Sequence, residues 1–200
     1  VCIVVGKHCC VNLPDMFLSN LVIPWSEQFK YLGIVFNAKC ELEVDCSVIK
    51  RKFYASFNSI IYKCSAAAEP VKLHLIKSYC LPLLTYNIGA LELSKNVLSQ
   101  LGICWNDAFR KIFGFHRWES VKLVQYFCQE LSFDYIYDLA RWQFLESFHR
   151  KISYLNHFYK IFESQYNLCT KFRQRYSPMF DNHRGRIVAV WSHFEKTVQL

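Results

Sequence analysis

The stretch that decides the fold runs from residue 29 to residue 64 and reads FKYLGIVFNAKCELEVDCSVIKRKFYASFNSIIYKC. Its first eight residues, Phe29 to Phe36, are rich in β-branched and aromatic side chains, which predicts a strand. After Asn37 the apolar residues recur at spacings of three, four and five, which predicts an amphipathic helix with its stripe at Val44, Val48, Ile49, Phe53, Phe57, Ile60, Ile61 and Cys64. The change of period therefore marks the point where β structure gives way to helices.

Further β structure is predicted upstream of this stretch. Val1–Val5 is a short β-branched run that ends at Gly6. The segments 16–18 and 21–23 form two short apolar runs, separated by Ser19-Asn20, and Pro24 closes the second run. Since Asn tolerates a positive φ, the two runs are predicted to form a β-hairpin with a two-residue turn.

Downstream, local signals predict a series of helices. Glu69-Pro70 opens one helix, which Pro82 ends or kinks. Ser94 is a predicted N-cap, and Gly114 is the stop of the same helix. Three further helices are predicted at 120–131, from Asp134 to Phe158, and at 187–198, with a break at 176–178. The predicted fold is α+β and predominantly α, divided into residues 1–38, 39–115 and 116–200.

Composition restricts the class of protein. Of the 200 residues, 52% are hydrophobic and 20% are charged, which is typical of a folded chain rather than a disordered one. The longest charge-free run, 78–91, has 14 residues, whereas a membrane-spanning helix needs about 20. We therefore expect no membrane association. The chain begins at Val1 without a secretory leader, so we read it as a piece of a longer protein.

The charge is positive and unevenly distributed. The formal net charge is +8, and residues 141–186 contain nine basic and three acidic side chains. Excess positive charge among aromatic residues suits a polyanionic partner such as nucleic acid. Solvated helix faces are the alternative interpretation of the same charge.

The ten cysteines are scattered, mostly as singles among apolar residues and with Cys9 and Cys10 adjacent, and no C-x-x-C motif occurs. Unpaired cysteines used as small core residues indicate an intracellular protein, either nuclear or cytoplasmic. Cys169, His183 and His193 lie in the basic C-terminal segment. A zinc site needs four closely spaced ligands, so these three residues are only a weak zinc candidate.

Motifs for catalysis are missing from the sequence. It has no adjacent Asp-Asp pair, no G-x-x-x-x-G-K, no H-E-x-x-H and no G-x-S-x-G. Glu41, Glu43 and Asp45 cluster at the start of the predicted helix, where carboxylates complement the helix dipole. We therefore assign no catalytic residue and no metal ligand to this chain.

Three blocks of the sequence carry a resemblance to one family. A hairpin closes on Phe29-Lys30-Tyr31-Leu32-Gly33 and a basic amphipathic helix follows. The segment 79–87, YCLPLLTYN, is similar to a Y-x-x-P-x-L-x-Y-G stretch, with Asn87 in place of Gly. The segment 105–114, WNDAFRKIFG, resembles a helix that ends in R-x-I-x-G. In this order the blocks resemble the reverse transcriptases of non-LTR (LINE-type) retrotransposons, with Val1–Val5 as the last strand of the palm.

The resemblance implies that this chain is the end of the palm, the thumb and a post-thumb helical region. The family's Asp-Asp loop, which binds the two Mg²⁺ ions of the polymerase, would lie upstream of Val1. The implied partners are RNA, an RNA–DNA primer–template duplex, and the palm and fingers of the same polypeptide. The primer-grip-like residues carried over from the family are Phe29, Lys30, Tyr31, Leu32 and Gly33.

A thumb helix that lies along a duplex contacts backbone phosphates, so it needs cationic residues on one face and an apolar stripe on the other. The expected nucleic-acid-binding residues are Lys50, Arg51, Lys52, Lys63, Arg110 and Lys111. Gly33 would allow the backbone of the hairpin to approach nucleic acid closely because it has no side chain. The alternative is a decayed or repurposed helical module that binds nucleic acid or protein without polymerase activity.

Overall fold

The computed structural model describes residues 2–5, 14–38, 42–150, 160, 168–176 and 183–198. Within these residues the chain begins with short strands and continues as helices. This confirms the predicted α+β, predominantly α, class. Of the predicted strand Val1–Val5 the structure describes residues 2–5, and among these only Cys2 pairs, in a parallel bridge with Trp25. In the part of the chain that the structure describes, no helix is both long enough and apolar enough to span a membrane.

Five strands of the described part of the chain form two small antiparallel sheets. The strands β1 (Met16–Leu18) and β2 (Leu21–Ile23) form the predicted hairpin, and its turn residues Ser19 and Asn20 both have a positive φ. The strands β3 (Gln28–Tyr31), β4 (Ile34–Ala38) and β5 (Leu42–Asp45) form the second sheet in the order β3-β4-β5. Since β5 pairs with β4, this sheet continues across the expected boundary at residue 38.

The prediction of a single strand from Phe29 to Phe36 is wrong. The segment is a hairpin in which Tyr31 pairs with Ile34 and the turn consists of Leu32 and Gly33. Their φ angles are 46° and 84°. Two successive positive φ values define the turn type whose twist matches that of the flanking strands. Leu is rarely found at such a φ, so the turn was not recognised in the sequence.

The prediction that the helical stripe begins at Val44 is also wrong. Val44 lies in β5, and the first helix begins at Ser47. Glu43 and Asp45 therefore belong to the strand, Glu41 lies outside the described residues, and the first turn of the helix contains no acidic residue. Asp45 nevertheless stabilises the helix start, because its Oδ1 accepts a hydrogen bond of 2.8 Å from the backbone N–H of Ser47.

The helices that follow the sheets in the described ranges are α1 (Ser47–Lys63), α2 (Glu69–Tyr79), α3 (Leu81–Thr85), α4 (Lys95–Phe113), α5 (Lys122–Phe127), α6 (Phe133–Arg150), α7 (Leu168–Tyr176) and α8 (His183–Val198). A 3-10 turn, Ile88–Ala90, precedes α4. The predicted start of α2 at Glu69 and both predicted ends of α4 are confirmed, whereas α2 ends at Tyr79, before Pro82, which lies in the first turn of α3. Ser94 Oγ accepts a hydrogen bond from the N–H of Val97, and Gly114 ends α4 with φ 72°.

The predicted helix at 120–131 is shorter in the structure. It ends at Phe127, and Gln129 has a φ of 55° that is incompatible with a continuing helix. The carbonyl of Leu131 accepts a hydrogen bond of 3.0 Å from the indole N–H of Trp105, which comes from a distant part of the chain. The helix predicted at 187–198 begins earlier, at His183. The part of the α6 prediction that extends to Phe158 lies outside the described residues.

Two clusters of buried side chains hold these elements together. The larger cluster lies between the β3-β4-β5 sheet and helices α1 to α4, and it includes Phe53, Ile76, Trp105 and Phe109. The smaller cluster lies between α6, α7 and α8, and its buried members are Leu131, Tyr135, Tyr176, Val190 and Phe194. Helix α6 contributes to both, since Phe133 and Tyr137 belong to the first and Tyr135 to the second.

Candidate nucleic-acid interface

The turn of the β3–β4 hairpin presents exposed side chains at the surface. Lys30, Tyr31 and Leu32 are exposed, whereas Phe29 stacks on Phe36 across the two strands at a ring separation of 5.1 Å. That stacked pair is the cross-strand contact that stabilises a short antiparallel ribbon. The hairpin therefore offers one cation, one phenol and one aliphatic side chain at a well-supported turn.

Gly33 has a conformational role in this turn. Its φ of 84° lies in the left-handed region, which residues with a Cβ rarely adopt. A methyl group added at Gly33 would lie 3.7 Å from Cε1 of Tyr86, which is an ordinary contact distance. The turn geometry therefore accounts for this glycine. The structure also brings the first resembling block, 29–33, against the second block, 79–87, at Tyr86.

Asn87 occupies the position at which the resembling family has Gly. It adopts a φ of 56° at the entrance to the 3-10 turn. Asn is one of the few residues with a side chain that enters this region at small cost. The substitution of Asn for Gly is therefore compatible with the same backbone path.

Helix α1 separates its apolar and cationic residues onto opposite sides. Phe53 and Phe57 are buried in the core. Arg51, Lys52 and Lys63 are exposed. Tyr62 lies on the same outer side and is 84% exposed. The outer surface of α1, defined by Arg51, Lys52, Tyr62 and Lys63 and called here the α1 cationic face, combines three positive charges with one aromatic ring.

Lys50 does not lie on the same side of α1 as the exposed cations Arg51, Lys52 and Lys63. Its Nζ donates a hydrogen bond of 2.9 Å to Oε1 of Gln100 in α4. The thiol of Cys46, one turn earlier, also contacts Oε1 of Gln100, at 3.5 Å. Lys50 thus belongs to the contact between α1 and α4 rather than to the α1 cationic face.

Arg110 and Lys111 also have different surroundings. Arg110 is partly buried, pairs with Asp107 at 3.0 Å, and donates from Nε and Nη2 to the backbone carbonyl of Glu119 at 3.3 Å. It therefore anchors the loop that follows α4. Lys111 is exposed. Asp107 also accepts a hydrogen bond of 2.8 Å from the hydroxyl of Tyr54, and burial together with this bond raises the pKa of Tyr54.

The described residues do not form a metal centre. In the ranges that the structure describes, no three His, Cys, Asp or Glu side chains come together. The side chains of Cys169 and His183 lie outside the described residues, while Nδ1 of His193 is 2.8 Å from the hydroxyl of Tyr135. A cleft of about 640 Å³ between β5 and the segment before α4 contains Glu43, Glu92 and Lys95, with no His or Cys in its lining. The residues present do not match the carboxylate set that two Mg²⁺ ions require.

Tyr62 and Trp118 are among the exposed aromatic residues that the sequence analysis did not predict. The exposure of Tyr62 could have been predicted, because Tyr62 precedes Lys63 and lies opposite the buried stripe of the helix. Trp118 is 82% exposed in the loop after α4, and no periodicity in its neighbourhood distinguishes it from a core tryptophan. No family model, no curated protein and no solved structure matches this chain.

Proposed function

We propose that this chain is the end of the palm and the thumb of a non-LTR retrotransposon reverse transcriptase, where it holds the primer–template. The chemistry and its Mg²⁺ ions belong to palm residues outside these 200 positions. The β3–β4 hairpin would act as the primer grip. The α1 cationic face would lie along the backbone of an RNA–DNA duplex.

The packing of the three resembling blocks supports this proposal. Gly33 of the first block lies beside Tyr86 of the second, since a Cβ added at Gly33 would be within ordinary contact distance of the tyrosine ring. Cys80 and Leu84 of the second block share the main core with Trp105 and Phe109 of the third. A set of motifs from one family is expected to form one packed module, and these blocks do.

The observation that carries the proposal is the α1 cationic face. Arg51, Lys52 and Lys63 are exposed on a 17-residue helix whose opposite side is buried through Phe53 and Phe57. Such a helix is held rigidly and can place its cations along a phosphate backbone without reading the sequence. Partners of this kind release counterions, so binding depends steeply on salt.

A second candidate function has an observation of its own. The β1–β2 hairpin exposes Phe17, Leu18, Leu21 and Val22, an apolar surface that would suit a protein contact. This favours an interaction module, either a repurposed descendant or the side of a thumb that packs on its own palm. Salt-insensitive self-association through this hairpin would support the interaction module.

The first experiment measures binding of the 200-residue chain to an RNA–DNA duplex by fluorescence anisotropy over a range of salt concentrations. The test variant is the triple substitution Arg51→Glu, Lys52→Glu, Lys63→Glu. We expect weaker binding and a salt slope that falls by about one for each phosphate contact removed. The measurement thus reads both the affinity and the number of phosphates contacted.

The matched control is the triple substitution Lys95→Glu, Lys171→Glu, Lys196→Glu, which changes the charge equally at exposed positions on α4, α7 and α8. If the two triple variants lose affinity equally, binding reflects net charge alone and the proposed face is wrong.

We also expect no nucleotide incorporation by this chain with Mg²⁺ and any template. Free thiols on Cys46, Cys80 and Cys104 in the core are consistent with an intracellular location, which is part of the proposal.

A further inference from the structure

The loop between α4 and α5 is held in one conformation by several hydrogen bonds to its backbone. The backbone N–H of Phe115 donates to the carbonyl of Arg110 at 2.9 Å, and the N–H of Glu119 donates to the carbonyl of His116 at 3.1 Å. The carboxylate of Glu119 accepts from the N–H of His116 at 2.5 Å. Together with the two bonds from Arg110 to the carbonyl of Glu119, these contacts fix the backbone of residues 115–119.

This fixed loop presents an aromatic pair to solvent. The rings of His116 and Trp118 stack with centroids 4.8 Å apart and planes 3° from parallel. Trp118 is 82% exposed, whereas Trp105 in the core is fully buried. One face of the indole is covered by the imidazole, and the opposite face is open. Trp118 therefore contributes little to the core, and its uncovered face is accessible to a planar ligand.

The charge around the pair is positive. Lys111, Arg117 and Lys122 are exposed within the same segment of the chain, and Arg110 anchors it from below. The nearest carboxylate in sequence, Glu119, is engaged with the backbone of His116. An open indole face among exposed cations is complementary to a planar group that carries negative charge beside it.

We propose that Trp118 is a stacking site for an unpaired base of single-stranded RNA or DNA, with Arg117 and its neighbouring lysines contacting the phosphates. Inside a duplex the bases already stack on one another, so apart from the duplex ends only an unpaired base can offer its face to Trp118. Stacking of this kind accepts any base, since every base has an aromatic face. This site is separate from the α1 cationic face and does not depend on the duplex-binding proposal.

The test measures binding of the full 200-residue chain to a fluorescein-labelled dT oligonucleotide of about 12 nucleotides, a length within the usual site sizes for single-strand binding. We expect Trp118→Ala to weaken binding roughly 10-fold, since the variant loses the stacking of one base on an aromatic ring. Trp118→Phe should restore most of the loss because it keeps an aromatic face. Trp118 is exposed, so neither substitution removes a core contact.

Two controls separate stacking from simple charge attraction. An abasic oligonucleotide with the same number of phosphates should bind the parent chain and Trp118→Ala equally. Phe127→Ala removes another exposed aromatic residue of this region, and it should leave dT binding unchanged.

Three results would overturn the proposal: unchanged dT binding by Trp118→Ala, an equal loss for Phe127→Ala, or abasic binding as tight as dT binding. Unchanged dT binding together with a new protein contact at this loop would assign Trp118 to a protein interface instead. Duplex binding should be unaffected by Trp118→Ala, while the α1 triple variant should affect it. The failure of one proposal can therefore be told apart from the failure of the other.

Discussion

The main core and the C-terminal cluster stabilise this chain by different chemistry. The main core is built from aliphatic and aromatic side chains such as Phe53, Ile76 and Trp105, each without exposed surface. Among the residues that the structure describes, the C-terminal cluster has few buried apolar side chains and is crossed by polar contacts. Hydrophobic burial is insensitive to pH, whereas hydrogen bonds between titratable groups are not.

The polar contacts of the C-terminal cluster connect α6 to α7 and, through the 2.8 Å contact between the hydroxyl of Tyr135 and Nδ1 of His193, to α8. The hydroxyl of Tyr176 in α7 donates to Asp138 in α6. Arg175 pairs with Asp138 at 2.7 Å, and its guanidinium lies 5.3 Å from the ring centre of Tyr135. Burial raises the pKa of Asp138, which the hydrogen bond from Tyr176 and the charge of Arg175 counteract. A small apolar cluster is thus supplemented by a network of aromatic and charged groups.

The largest expected effect compares one phenylalanine from each cluster. Phe53 and Phe194 have no exposed surface, and truncation of a buried Phe to Ala costs ~3–5 kcal/mol. Phe53→Ala should reduce the free energy of unfolding of the whole chain by that amount, as measured by urea denaturation. Phe194→Ala should mainly reduce hydrogen-exchange protection in α7 and α8, leaving α1 and α4 protected. Equal loss of protection in all four helices would show that the two clusters unfold as one unit.

The second prediction concerns the contact that joins α6 to the main core. A methyl group at Gly89 would lie 2.5 Å from the carbonyl oxygen of Ala140, so Gly89→Ala should cost ~1–3 kcal/mol through overpacking. The matched control is Gly102→Ala in α4, where a methyl group would lie 3.8 Å from Cβ of Phe133. This variant should be neutral or stabilised by ~0.4–1 kcal/mol because Ala favours the helix. Similar thermal midpoints for the two variants would contradict the close approach of α6.

The smallest expected effect is a pH dependence confined to the C-terminal cluster. Burial first, and then the charges of Arg175 and Lys196, lower the pKa of His193 from its usual 6.5, while Asp138 acts in the opposite direction. Tyr135 and Tyr176 are the other titratable side chains that face the ring. The folded state therefore favours neutral His193, and its contribution to stability is present above pH 6.5 and lost as the pH falls through the lowered pKa.

The measurement is urea unfolding at about pH 7.5 and about pH 5.5, on either side of the usual histidine range. His193→Gln should reduce the difference in unfolding free energy between the two pH values. His74→Gln removes an exposed histidine on α2 and is the control. If His74→Gln reduces the difference as much as His193→Gln, the pH dependence does not arise in the C-terminal cluster.

Local signals predicted those features whose causes are local. Ser94 and Gly114 bound α4 as expected, since a cap acts within one turn of its helix. The hairpin turn at Leu32 and Gly33 was missed because Leu is a poor marker for a positive φ. Val44 was assigned to a helix because it lies four residues before Val48. It is in a strand because β4 provides a pairing partner, which periodicity alone does not reveal.

The candidate surface was partly predictable for the same reason. The exposure of Arg51, Lys52 and Lys63 follows from the helical period and the buried positions of Phe53 and Phe57. The contact of Lys50 with Gln100 depends on a residue 50 positions away. The exposed stacking of Trp118 depends on how Arg110 and Glu119 fix the loop.

The sequence by itself determined the α+β class, the position of several helix ends and the cationic side of α1, because propensity, capping and amphipathic periodicity act over a few residues. Only the tertiary structure decided that the hairpin of 29–36 turns at Leu32 and Gly33, that β5 pairs with β4, that Lys50 and Arg110 make internal contacts, and that Trp118 is exposed. Those outcomes depend on which distant groups meet when apolar surface is buried and polar groups find partners.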